Sequence, residues 1–273
     1  MSWSLFRACG ESYPDLALKP SFLQDAENIN ESVKIALNLS LWLVVSSISM
    51  MSQTKTTPSC PTTESVLAAP VDHEIPVNAA KPAPEWQSAT PIVFCRDWQG
   101  KDPAPDRETR VQVLWSAKTL FLRFECRYRE LHVFDDSEPN GRRDQLWDRD
   151  VAEAFLQPDP TRPTEYKEFE VSPNGFWIDL DISPGQKPDL KSGMRRSVIL
   201  DERARTWIAE LAIPMKALAP DFNPSAVWRV NFFRVEGNEE PRGYYAWRPT
   251  GTPQPNFHVP SAFGQMRFLS SKR

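Results

Sequence analysis

The chain has 273 residues, enough for one large domain or two small ones. Its net charge of -4 and pI near 5.6 argue against a general binder of nucleic acid or of acidic membranes. With 26 prolines against 10 glycines, the chain has little room for long helices and favours strands joined by stiff loops, and its 10 tryptophans exceed what a core needs.

Up to about Lys34 no strong period is visible. Lys34 then precedes an apolar run, Ile35–Met51, which is short for a membrane span and carries Asn38 and several serines. A basic residue, an apolar stretch and small residues make up a secretory signal, but a signal belongs at the N-terminus. Two starts reconcile these facts. Either translation begins at Met50 or Met51, the reading favoured here, or a start near Val33 makes a genuine signal. The protein is extracytoplasmic if 34–51 acts as a signal and cytoplasmic if Met50 or Met51 is the start. The next segment, SQTKTTPSCPTTESV, has the composition of a disordered tail. The expected division is an N-terminal extension over 1–70, disordered or wrongly included by too early a start, and a folded domain over 71–273 whose ordered structure begins near Val71–Ala80.

From there short strands alternate with Pro, Gly, Asp and Asn. Ile92–Cys95 is the first. Thr109–Ser116 sets Val111, Val113 and Trp115 against Arg110, Gln112 and Leu114. In Thr119–Tyr128, Leu120, Leu122, Phe124, Cys126 and Tyr128 share one face while Arg123, Glu125 and Arg127 share the other, the cleanest half-buried strand in the chain. Asp150–Gln157 alternates imperfectly, but Val151, Phe155 and Leu156 suit a strand that is mostly buried, with Glu153 an acid on it and Trp147 on the loop before it. Tyr166–Ser172 meets Phe176–Ile182 across Pro173-Asn174-Gly175, and Asn-Gly between alternating runs signals a hairpin. Further strands are expected at Arg196–Leu200, Thr206–Ile213, Val227–Val235, Tyr244–Trp247 and Gln265–Leu269, with one helical turn at Pro214–Leu218. The fold class is therefore all-β: an antiparallel, jelly-roll-like β-sandwich with almost no helix after residue 80.

Chemistry must come from few groups. The cysteines Cys9, Cys60, Cys95 and Cys126 lie far apart with no CxxC, and Cys95 and Cys126 read as buried free thiols, a disulfide between them requiring neighbouring strands in register. No nucleophile elbow and no glycine-rich phosphate loop is present, and His73, His132 and His258 are scattered. The carboxylates Glu153, Glu168, Glu170, Asp179 and Asp181 could share a sheet face; paired acids can hydrolyse glycosides, but spacing of two also marks any solvated face. An indole offers a platform to an apolar ring face, and a carboxylate beside it accepts hydrogen bonds from hydroxyls, so Trp147 with Glu153 suits a sugar. The proline-rich block from Tyr244 to Gly264, with exposed aromatics and Asn256, suits a ligand lip.

WDRDVAEAFLQP, EFEVSPNG, WIAELAIP, WRVNFFRVE and YAWRPT…PNFHVPSAFGQMRF follow one another at suitable spacing, and this order resembles the family 9 carbohydrate-binding modules over roughly residues 75–270. The resemblance implies a non-catalytic β-sandwich that holds the end of an oligosaccharide or polysaccharide chain, xylan among them, between two aromatic rings. Trp147 matches the first ring and Glu153 an acidic residue of the site. Phe257 stands where the second ring is usually Trp, and Glu170 where xylan-binding members carry a basic residue, whose fork Glu cannot reproduce. The family also holds structural calcium, for which Asp150 is the nearest candidate ligand. Two alternatives are a glycoside hydrolase working through the sheet-face carboxylates and a haem-binding electron-transfer module using Met194, Met215, Met266 and His258.

Overall fold

The structure is a computed structural model that describes residues 60, 61, 63–136 and 141–270. The apolar run 35–51 and the two alternative starts lie outside the described residues. Among the described residues, twelve strands form two sheets. One runs β7 (Trp177–Ile182), β6 (Tyr166–Val171), β5 (Val151–Gln157), β10 (Trp228–Glu236), β12 (Gly264–Phe268) and β1 (Ser65–Pro70), with β11 (Gly243–Ala246) also on β10. The other runs β1, β3 (Thr109–Trp115), β4 (Thr119–Arg127), β9 (Thr206–Pro214) and β8 (Arg195–Asp201), with β2 (Ile92–Phe94) on β3. β1 belongs to both: Ser65–Ala68 pairs β12 and Ala69–Pro70 pairs β3, parallel each time, whereas every other pairing of named strands is antiparallel. Order thus begins before Val71, earlier than expected. The Ser-Val-Leu-Ala-Ala-Pro run is too short and too close to a polar tail for its pattern to declare a strand.

The alternation of β4 holds. Leu120, Leu122, Phe124 and Cys126 face the inter-sheet core with Val111, Val113, Ala152, Ala154, Phe169, Trp207, Val230 and Phe232. A second apolar layer covers the outer face of the β7–β6–β5–β10 sheet, where Val151, Phe155, Tyr166, Ile178, Leu180 and Phe233 meet Phe257 and Phe263. A third covers the other sheet, with Ile75 and Trp86 over Leu114 and Phe121. β5 is therefore buried on both faces, all seven residues of it, which is why its alternation looked imperfect.

The hairpin at Asn174-Gly175 forms: Gly175 N–H donates to Ser172 O at 2.9 Å, Ser172 N–H to Phe176 O at 2.9 Å, and Gly175 takes φ 87°. A left-handed residue closing a turn in this way is a glycine position. The α-helix α1 (Met215–Leu218) follows Pro214 as expected. Among the described residues, four short 3-10 turns, at Pro84–Ser88, Pro105–Arg107, Leu146–Asp148 and Pro260–Ala262, were not expected. No helix among the described residues is long and apolar enough to cross a membrane.

The cysteine reading needs correction. Cys95 is bonded to Cys60, their Cα atoms 5.6 Å apart, while Cys126 is a buried free thiol whose pKa burial pushes up. Phe94 pairs Thr109 and Thr109 pairs Cys126, so β3 stands between the two strands. Two strand spacings are about 10 Å, beyond the roughly 7 Å a disulfide can bridge.

Candidate functional site

Register builds the floor. On β5, Glu153 pairs Glu170 of β6 and Phe233 of β10, and Phe155 pairs Glu168 and Asn231. Glu153, Phe155, Glu168 and Glu170 therefore share the outer face of this sheet. Asp179 and Asp181 do not join them: they pair Phe169 and Lys167, residues of the opposite face. Asp179 there accepts from Ser192 N–H at 2.8 Å, and Asp181 forms an ion pair with Lys167 at 2.5 Å.

The walls come from loops. Leu146 is buried and anchors the turn that carries Trp147, leaving the indole half-buried. Arg242 donates to the Trp147 carbonyl, and the Lys187 ammonium lies 4.5 Å from the indole centroid. Opposite runs the loop 251–260. It is held by Trp98, whose indole N–H donates to Thr252 O at 2.9 Å and whose carbonyl accepts from Thr250 N–H at 2.8 Å. Asn256 is exposed and takes His258 N–H on its side-chain oxygen at 3.0 Å. Phe257 lies flat on Phe233 at 4.2 Å and 12°, and is 9 % exposed. One face of its ring is thus spent on the sheet. Tyr244, half-buried and edge-on to Phe257 at 6.1 Å, offers more aromatic surface to the same cavity.

All five residues singled out in the sequence, Trp147, Glu153, Glu170, Asn256 and Phe257, line one cavity of about 310 Å³. The cavity also takes in Glu168, Lys187, Arg242, Tyr244 and His258. Lys187 and Arg242 went unnoticed in the sequence. They stand in loops whose only signals are turn residues, and nothing local says that both loops bend over β5.

The floor is electrostatically unusual. Glu153 and Glu168 are each 2 % exposed and Glu170 0 %. Each offers one oxygen within 4.8 Å of the others. Burial first, then the neighbouring Glu168, pushes Glu153 well above the ordinary carboxylate range, with Arg242 opposing. Burial, then Glu153 and Glu168, does the same to Glu170, with Lys187 opposing. The Tyr166 phenol, 2.5 Å from His258 Nδ1, is raised by burial and by Glu168 and Glu153. No hydrogen bond reaches either oxygen of Glu170 or Oε2 of Glu168, although His258 Nδ1 stands 3.9 Å from the latter, and a shared proton could join the two carboxyls.

Asp150 stands apart. It is fully buried, takes Gly237 N–H at 2.7 Å on Oδ1, and is raised above its ordinary pKa by burial. Among the described residues, Glu153, Glu168 and Glu170 form the one acidic group with metal-ligand proximity, and Asp150 is not in it. Calcium takes six to eight oxygen ligands, so besides these three carboxylates it would need backbone carbonyls or water. The haem alternative loses its geometry: Met194, Met215 and Met266 lie in the inter-sheet core, while His258 lies on the far side of the β7–β6–β5–β10 sheet.

The class is thus a β-sandwich with a cavity on a sheet face, floored by carboxyls and walled by aromatics. The family model described as carbohydrate family 9 binding domain-like matches residues 79–271, and the chain belongs to that family. An "Extracellular protein" of Arthroderma benhamiae is 26% identical over 183 residues, 62% of this chain and 82% of that protein. The UPF0462 protein C4orf33 homolog of Rattus norvegicus is 29% identical over 127 residues, 44% of this chain and 60% of the relative. Among solved structures, a putative carbohydrate-binding protein from Bacteroides uniformis aligns with a TM-score of 0.62 at 16% identity, over 76% of this chain and 99% of that one. A family 9 module from Caldicellulosiruptor kristjanssonii in complex with cellotriose aligns at 0.55 and 13%, over 76% and 95%. At such identities the likeness is one of fold.

Proposed function

We propose that the protein is a non-catalytic carbohydrate-binding module that takes the end of a glycan chain into the cavity between Trp147 and the 251–260 lip. The observation that carries this reading is the convergence of Trp147, Tyr244, Phe257, Asn256 and the buried glutamates on one cavity, in a chain of the family 9 type. The relatives in complex with cellotriose and with glucose support it. The indole is the platform, Glu153 and Asn256 read hydroxyls, and Arg242 fixes the Trp147 turn. A neighbouring concavity of about 550 Å³ shares Lys187 and His258, which suits a chain longer than one ring.

Trp147→Ala should weaken binding of the best ligand from a panel of glucose, cellobiose and xylooligosaccharides about tenfold or more, because a stacked ring contributes about 1–2 kcal/mol. Calorimetry decides it; unchanged affinity would remove Trp147 from the site. The close carboxyls favour a second reading, glycoside hydrolysis, since retaining enzymes hold two at about 5–5.5 Å. Reducing ends released from xylan or cellulose would replace the first reading by this one.

We also infer an extracytoplasmic setting. The Cys60–Cys95 bond belongs to oxidising compartments, and the fungal relative is called extracellular. Mass spectrometry of the native protein without reductant should find the peptides of Cys60 and Cys95 joined. Free thiols at both would overturn the extracytoplasmic inference.

A further inference from the structure

The floor of the cavity calls for a positive charge. Glu168 and Glu170 are almost wholly buried, face the cavity, and have three oxygens without a hydrogen bond, of which only Glu168 Oε2 has an imidazole, that of His258, at 3.9 Å. Buried carboxylates without donors are costly, and charge-assisted bonds from a cation offset that cost. An ammonium group suits the spacing. Its three N–H bonds diverge tetrahedrally, so acceptors at about 2.8 Å stand about 4.6 Å apart. The three glutamates offer oxygens within 4.8 Å of one another.

Two observations favour an organic ammonium over a bare metal ion. The cavity, at about 310 Å³, is far larger than an ion needs and is walled by Trp147, Tyr244 and Phe257. The chain's own Lys187 also marks the place: its ammonium lies 4.5 Å from the Trp147 centroid and favours the charged form of Glu170. Cations over an indole face are stabilised by the ring's electron density. Lys187 is an exposed residue at the rim, so a ligand can take over its position without opening the core.

We propose that the preferred ligand is an amino sugar, its ring on Trp147 and its ammonium among Glu153, Glu168 and Glu170. This rests on the carbohydrate reading and narrows it to a substrate class. It also gives a role to Glu170, whose two oxygens meet no hydrogen-bond donor. As the ammonium enters, a protonated carboxyl that it meets gives up its proton to solvent, so the ligand's one positive charge is matched by one newly ionised carboxylate.

The test is calorimetry on the full chain at pH 6.5 with glucosamine, N-acetylglucosamine, glucose and calcium chloride. Acetylation keeps the ring and removes the charge. Glucosamine should bind about tenfold or more tightly than the two neutral sugars, because a charge-assisted hydrogen bond is about twice as strong as a neutral one. Glu170→Gln should bring the ratio of glucosamine to glucose affinity close to one, and Glu168→Gln gives a second reading of the same floor. Equal affinities for glucosamine and glucose in the native chain would overturn the amino-sugar assignment and leave carbohydrate binding standing. Binding of none of the sugars would overturn both. Calcium that binds alone, blocks glucosamine and is lost in Glu170→Gln would make the floor a metal site instead.

Discussion

Arg234→Ala is expected to lower stability by about 3–5 kcal/mol, the cost of removing one partner of a buried ion pair. Along β10 the inward row reads Trp228, Val230, Phe232, and then Arg234, a cation where the pattern predicts another apolar side chain. Arg234 is 0 % exposed. Its Nη2 lies 2.8 Å from Glu236 Oε1, and its guanidinium stacks 5.0 Å from the Trp207 ring centroid. Glu236 is 3 % exposed and is also paired to Arg107. Truncation therefore does two things at once: it leaves a hole under Trp207 and takes one of the two cations from a buried carboxylate. Denaturant titration should move the midpoint with little change in slope. Arg234→Met keeps the volume and should cost less. Adding Glu236→Gln to it should recover part of the loss, because the stranded charge goes with it. A loss below about 1 kcal/mol for Arg234→Ala would mean that Arg107 alone suffices for Glu236.

Glu170→Gln is expected to do the opposite and raise stability at pH 7 by about 1–3 kcal/mol. Glu170 is fully buried and its oxygens meet no donor. Its pKa in the folded state is raised well above the ordinary 4.5 by burial and by Glu153 and Glu168. A folded carboxyl with a raised pKa holds a proton that the unfolded chain has already released. Stability then falls as pH rises from the ordinary value to the folded one, and is flat beyond. Glu153, raised for the same reasons, adds to the slope. Gln cannot ionise, and its amide can donate to Glu168 or Glu153. Thermal melts between about pH 5 and pH 8 should show the native chain losing stability relative to Glu170→Gln as pH rises. A difference that does not vary with pH would show that Glu170 titrates as an ordinary surface acid does. Under the amino-sugar reading this is a stability cost kept for binding, and saturating glucosamine should narrow the gap between native chain and variant.

The sequence by itself determined the fold class and the row of strands. Period-two alternation in β3, β4 and β7, turn residues between them and Asn174-Gly175 were enough, because one face of each strand had to meet a core and the pattern is local. The family pattern carried Trp147, Glu153, Glu170 and Phe257 as a set, although they come from three separate stretches of chain, and the proline-rich loop drew attention to Asn256. Tertiary structure decided the rest. Which carboxylates share a face depends on register: Glu168 and Glu170 join Glu153, while Asp179 and Asp181 turn away, because a cross-strand neighbour inherits the face of its partner. β1 escaped notice because its stability comes from two parallel partners, β12 and β3, far along the chain. Cys95 found Cys60 and not Cys126 because β3 lies between the latter two, a matter of strand order and not of spacing in sequence. Lys187 and Arg242 joined the site only because two loops close over the same strand. The raised pKa values of Glu153 and Glu170 exist only once folding has buried them beside Glu168.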